Sequence, residues 1–414
     1  MANFEGMIFS RKHSLLNYFL YCIVLFLGII IGLHLLNIHL ITERFIMQKD
    51  MHYYGTYVMA RAAGIGRGKA QIIASAAQFV DDNAASKAIE FKDGGALQSR
   101  ATAHHWYHLR NIDTDDQRLV WVPFHFLPGN EGEKFSERLI CRKDSKIAQA
   151  MVANHLDHAD DIKFSDELIG ITAHVYADTF SHYGFSGVSS RQNEIINDSF
   201  NFYEIPNNTE KYLLDRQKEF KSNYSKESGL LANIKSWFAE TLSGALGHGA
   251  ACTFPDRPYL KWDFEYEYAG RCEMRDNPKT FLEACEALHG MFVRYTEAKQ
   301  GVKGGDRIDF AEIKPKIQAI IEFKGGEEEG SEPNEEARTE RWKKAVSEEK
   351  ILGNNEEIPE YLGEEWLKEK SRLHGDKASE IIKSRDVYQF YQAASYHRHY
   401  VLRNLLPDND LVVA

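Results

Sequence analysis

Apolar residues recur along this chain mostly at helical intervals. KAQIIASAAQFVDDNAA (69–85) places Ile72, Ile73, Ala76, Ala77 and Val80 on one side, which predicts an amphipathic helix. HYYGTYVMARAAG (52–64) keeps the same period and stops at Gly64. DSKIAQAMVANHLDHADD (144–161), KTFLEACEALHGMFVRYTEA (279–298) and ASEIIKSRDVYQFYQAASYHRHYVLRNLLP (378–407) predict three more helices. Another opens near Ser165, a suitable N-cap, with Asp166 and Glu167 in its first turn. SWFAETLSGALGHGAACTFPDRPYLKW (236–262) reads as a helix ending in small residues, then a Pro-rich turn. VWVPFHFLPG (120–129) reads as a short extended run closed by Pro128 and Gly129. Residues 86–120 and 186–230 are polar, with few strong signals. GGEEEGSEPNEEARTE (325–340) reads as a solvated acidic insertion.

The N-terminal 46 residues stand apart. Ser14 to Thr42 holds no Asp, Glu, Lys or Arg, long enough for a transmembrane helix at roughly 20 apolar residues per span. Arg11 and Lys12 precede it, so the positive-inside rule places the rest of the chain outside the cytoplasm. No small-residue cleavage site follows, which favours an uncleaved anchor over a cleaved signal, with a secreted form as the variant of that placement. If these residues are not part of the mature protein, residues 47–414 form a soluble protein. The expected organisation is a 1–46 segment and a 47–414 helical domain.

The length of 414 residues and a hydrophobic fraction of 43% allow a substantial core. A net charge of −11 argues against a general polyanion binder, so no stable nucleic-acid partner is expected. The five cysteines, Cys22, Cys141, Cys252, Cys272 and Cys285, form no CxxC pair. That count and spacing argue against a disulfide framework or a thiolate zinc site.

The chemistry lies in histidine and aspartate. In SDELIGITAHVYADTFSHYGFSG (165–187), His174, Asp178 and His182 fall at i, i+4 and i+8, on one helix face. Two imidazoles and a carboxylate on a rigid rod suit a divalent metal, zinc above all. Related groups recur at the edges of apolar segments: Asp50 and His52 open the first core helix, and Asp81 ends the apolar stripe of the second. His125 lies among aromatics, His248 among small residues, and Asp256 behind a proline. Helix bundles build inward-facing metal sites in this way. For each residue alone, a core histidine or a solvated carboxylate is the plainer explanation; the repetition favours metal.

These motifs resemble the zinc-dependent phospholipase C and S1/P1 nuclease superfamily. AQFVDD is similar to its helix-closing Asp element, HFLP to its His-x-x-Pro-like stretch, HVYADTFSH to its helical HxxxD-plus-His element, and LGHGAACTFPD to its last His and carboxylate. DMHYYGTYVMARAAG and PDRPYL add a likeness to a bacterial family that includes zinc metallophospholipases C, covering about residues 47–290. The resemblance implies an all-α, multi-helix fold and two or three zinc ions. It implies ligands among His52, Asp81, His125, His174, Asp178, His182, His248 and Asp256, with Asp81 also a general base. The family's metal-binding N-terminal Trp has no counterpart here, and Asp50 is its candidate replacement. The implied activity is cleavage of phosphatidylcholine-like lipids to diacylglycerol and a phosphorylated headgroup at a membrane surface. The alternatives are an S1/P1-like nuclease or other phosphodiesterase, and a membrane-anchored metal-binding protein without turnover.

Overall fold

The chain divides into two units, Met1–Ile46 and Met47–Ala414. The structure, a computed structural model, describes residues 49–104, 115, 117–196, 198–226, 247, 251, 253–324, 335–372 and 382–413, all in the second unit. Near the start of the described residues a π-helix, Asp50–Gly55, continues as α1, Thr56–Ala62. α2 follows at Arg67–Asp82. A hairpin of β1 (Lys87–Glu90) and β2 (Ala96–Ser99) comes next, then α3 (Lys146–Asp157) and α4 (Ser165–Ser181). Beyond these lie β3 (Asn201–Tyr203), α5 (Asn207–Lys226), β4 (Lys261–Asp263), β5 (Glu265–Tyr266), β6 (Gly270–Arg271) and β7 (Arg275–Asp276). The chain ends with α6 (Asn277–Ala298), α7 (Phe310–Ile321), α8 (Glu335–Ser347), α9 (Gly363–Arg372) and α10 (Asp386–Tyr400).

α4 is the axis of the unit. Every one of its residues except Ala177 is buried, against α2, α3, α6 and α10. A helix enclosed on all sides has to satisfy its polar side chains inside the protein. Its approach to α2 depends on Gly170. A Cβ there would lie 2.3 Å from the Ile73 carbonyl oxygen and 2.6 Å from the Ala76 Cβ. The missing side chain lets two helices that carry candidate ligands pack at close range.

The all-α expectation is corrected. Among the described residues three small antiparallel sheets accompany the helices: β1–β2, β3–β4–β7 and β5–β6. Their strands are two to four residues long, too short for a period-two pattern to emerge, and β3 pairs with β4 far along the chain, Asn201 opposite Asp263. The extended run at 120–129 is also corrected. Gln117–Trp121 is π-helical and Val122–Phe124 is a short α-turn with Pro123 in its first turn, where proline fits.

The transmembrane and membrane-anchored expectations are corrected as well. Among the described residues no helix is long and apolar enough to cross a membrane. The 14–42 run lies outside the described residues. Residues 325–334 also lie outside them, but the rest of the expected acidic insertion is packed helix. α8 buries Arg338 and Trp342 almost completely.

Candidate metal centre

Four elements deliver the candidate residues. His52 comes from the π-helical turn before α1, and Asp81 from the last turn of α2. His125 follows the short turn at Val122–Phe124, and His174 and Asp178 come from α4. Their ligand atoms fall into two groups: Asp81, His125 and His174, and His52, His174 and Asp178.

In the first group, His174 Nε2 lies 3.3 Å from His125 Nδ1 and 3.7 Å from Asp81 Oδ1. Asp178 Oδ2 is 3.2 Å from His174 Nε2 and 3.3 Å from His125 Nδ1. In the second, His52 Nε2 is 3.3 Å from the other oxygen of Asp178, Oδ1. The His52 ring stacks on His174 with centroids 4.1 Å apart. Asp178 therefore presents one oxygen to each group.

The surroundings orient these side chains. His125 Nε2 donates to the Thr102 carbonyl oxygen at 2.9 Å, which leaves the Nδ1 lone pair directed at the carboxylates. Outer hydrogen bonds of this kind fix the tautomer of metal-ligating histidines. Neither oxygen of Asp81 accepts a hydrogen bond, and Asp178 Oδ1 accepts none, although both side chains are buried. A buried carboxylate without donors is costly, and a cation relieves that cost.

Burial, then the neighbouring Asp178 charge, pushes the Asp81 carboxyl well above its ordinary range. Burial acts the same way on Asp178, but the His182 and His174 rings outweigh it and hold this carboxyl well below its usual range. Burial drives His174 down to about 3 despite Asp178, which keeps the ring neutral and its lone pair available. The nitrogen and oxygen donors, their burial and the orphaned oxygens all fit a divalent metal, and these groups can hold one.

His182 and Asp256 form a separate pair. His182 caps α4, and its Nδ1 donates to the His125 carbonyl oxygen at 2.9 Å. Its Nε2 lies 2.8 Å from Asp256 Oδ1, and Asp256 ends the 3-10 turn Phe254–Asp256. Burial disfavours the charged ring, but Asp178 and Asp256 outweigh it and raise His182 to about 9. His248 lies outside the described residues.

Asp50 belongs to neither group. Its Oδ2 accepts from Arg338 Nε at 2.9 Å, and both side chains are about 1% exposed. Sequence reasoning missed Arg338 because it sits in an acidic run. The signal was Arg338, Trp342, Ala345 and Val346 at helical spacing, all of which are buried. It also missed the Thr102 carbonyl, a backbone group with no sequence signature.

Fold and site together define a helix-rich protein with small antiparallel sheets and a buried His/Asp centre able to hold metal. Over residues 47–405 the chain matches a family of unknown function (DUF6765), and it belongs to that family. No curated protein and no solved structure matches it.

Proposed function

We propose that this chain is a zinc-dependent phosphodiester hydrolase, a phospholipase C that splits phosphatidylcholine-like lipids into diacylglycerol and a phosphorylated headgroup. The observation that supports this most is Asp178, whose two oxygens face two different buried donor groups. Asp81, His125, His174 and Asp178 would hold one ion and His52 with Asp178 a second, while His182 and Asp256 offer a further position. Paired zinc ions supply an activated water near neutral pH and a clamp on the attacking and leaving oxygens of a phosphodiester.

The chain's own residues do the rest. Thr102 locks His125 in the ligating tautomer. Asp178 remains a carboxylate beside the histidines. Asp81, whose oxygens accept no hydrogen bond, would in its ionised form take a proton from attacking water. A small pocket bordered by His52, Asp178 and Asp256 is otherwise lined mainly by apolar side chains such as Met51, Phe180 and Phe281.

The test is elemental analysis of the purified protein together with phosphocholine release from phosphatidylcholine, with and without chelator, for the wild type, His174→Ala and Asp178→Ala. Stoichiometric zinc and chelator-sensitive release that both variants abolish is the expected result. Absence of zinc refutes the proposal. Zinc with cleavage of single-stranded DNA but not lipid makes the protein a nuclease, and zinc without turnover makes it a metal-binding protein.

A further inference from the structure

Asn83 follows the last turn of α2, two residues beyond Asp81, and is completely buried. Its side-chain amide meets a partner at every hydrogen-bonding position. Nδ2 donates to the Arg100 carbonyl oxygen at 2.9 Å and to Thr102 Oγ1 at 3.3 Å. Oδ1 accepts from the Tyr391 hydroxyl of α10 at 3.1 Å and from Lys370 Nζ of α9 at 3.4 Å. A carbonyl only accepts and an ammonium only donates, so these partners admit one orientation of the amide. The backbone completes the joint. Thr102 N donates to the Asn83 carbonyl oxygen at 3.0 Å, and Thr102 Oγ1 donates to the Val80 carbonyl oxygen at 2.6 Å. Thr102 is thus tied to α2 on either side of Asp81, and its own carbonyl oxygen is the acceptor for His125 Nε2.

We propose that Asn83 is a positioning residue of the metal centre: by aiming the Thr102 carbonyl it selects the His125 tautomer that offers Nδ1 to a cation. The inference rests on the metal-binding part of the reading above and on no particular substrate. Asn83 belongs to neither ligand group and acts only through Thr102. If the carbonyl turns away, Nε2 loses its acceptor. The other tautomer then competes, because an Nδ1 proton finds Asp178 Oδ2 at 3.3 Å. That tautomer has no Nδ1 lone pair left for a metal.

The experiment compares the full chain with Asn83→Asp. Aspartate keeps the shape and still accepts from Tyr391 and Lys370, but it has no N–H for Arg100 or Thr102. Arg398 continues to hold the Ala101 carbonyl at 2.7 Å, so the segment stays in place while its tilt is released. The added negative charge by itself would strengthen cation binding, so charge does not account for a weakened site. Ile317→Ala is the control; it cuts into the buried face of α7, which supplies no candidate ligand. Heteronuclear NMR of the imidazole nitrogens in metal-free protein, with His125 assigned from His125→Gln, reads the tautomer. Competition with a chelating dye reads zinc affinity.

The wild type should hold its proton on Nε2 of His125. In Asn83→Asp the Nδ1-protonated form should appear and zinc affinity should fall by roughly tenfold or more, as outer-shell changes do. Ile317→Ala should lose stability and keep both. Should Asn83→Asp fail to fold, Asn83→Ser, which lacks the amide and leaves room for water, carries the comparison. An unchanged His125 tautomer, wild-type affinity in the variant, or an equal loss of affinity in Ile317→Ala overturns the assignment. If the wild type binds no zinc, the metal reading fails by itself and the spectra alone decide: a tautomer shift in Asn83→Asp sustains the positioning role, and an unchanged tautomer overturns it.

Discussion

The Asp50–Arg338 pair separates two roles for Asp50, metal ligand and structural anchor. Arg338 Nε lies 2.9 Å from Asp50 Oδ2, both side chains are about 1% exposed, and Asp50 Oδ1 accepts no hydrogen bond. Removing one partner from a buried pair leaves the other charge without its counterion, at a cost of about 3–5 kcal/mol. Asp50→Asn and Arg338→Met are each expected to lose that much. Asp50→Leu with Arg338→Met removes both charges and is expected to lose clearly less than the two single changes summed, because a well-packed apolar replacement of a buried pair is often near neutral. Urea midpoints of the zinc-loaded proteins measure the cycle, and elemental analysis at saturating zinc counts ions. Asp50→Asn should keep the wild-type zinc content. A loss of one ion with an unchanged midpoint would show Asp50 to be a ligand, and single-variant losses below about 1 kcal/mol would show that the pair does not anchor the π-helical turn carrying His52.

Three further outcomes follow from the same geometry. Gly170→Val puts side-chain atoms against the Ile73 carbonyl and Ala76, forcing α2 away from α4. Zinc content should fall along with a stability loss of about 1–3 kcal/mol or more, and full zinc retention would refute the close-packing role. Asp178→Asn removes the charge that both groups share and should reduce zinc content further than His52→Ala, which touches only the second group; equal losses would contradict a shared carboxylate. In the metal-free protein His182 titrates near 9 when folded, against an ordinary value of 6.5. A raised folded pKa gives stability that is complete below about pH 6.5 and is lost as pH climbs through about 9. The urea midpoint of metal-free protein should therefore drop over that interval, and His182→Asn should flatten the drop; an identical slope in the variant would refute the assignment.

The parts of this protein that were legible in sequence are those where burial repeats over many residues. α2 and α4 announce themselves through their apolar positions, and Asp81 was readable as the polar residue closing a long apolar stripe. His125 was readable as a residue but not in its setting. Its neighbours Val122, Pro123 and Phe124 are too few to distinguish a helical turn from an extended run, and packing decides between them. The sheets were illegible because two-to-four-residue strands carry no periodic signal, and β3 finds its partner β4 far along the chain. Arg338 was hidden because composition, read over a window, averaged one buried arginine into its acidic neighbours.

The spacing of His174, Asp178 and His182 has a consequence that only the structure makes concrete. Eight residues of α-helix rise about 12 Å, whereas zinc ligands lie about 2 Å from the ion. His174 and His182 therefore cannot both ligate one ion while the helix stays intact, so a shared face requires separate destinations. α4 divides them at Asp178. On one side His174 Nε2 turns toward His125 and Asp81. On the other, His182 ties its Nδ1 to the His125 carbonyl and aims its Nε2 at Asp256. The carboxylate between them remains within 3.2 Å of His174 Nε2 and 3.5 Å of His182 Nδ1, and its second oxygen reaches His52. One buried helix thus contributes to both candidate metal groups at once. For that reason a change that shifts α4, such as Gly170→Val, should disturb the whole centre, whereas loss of His52 or His182 should disturb only its own side.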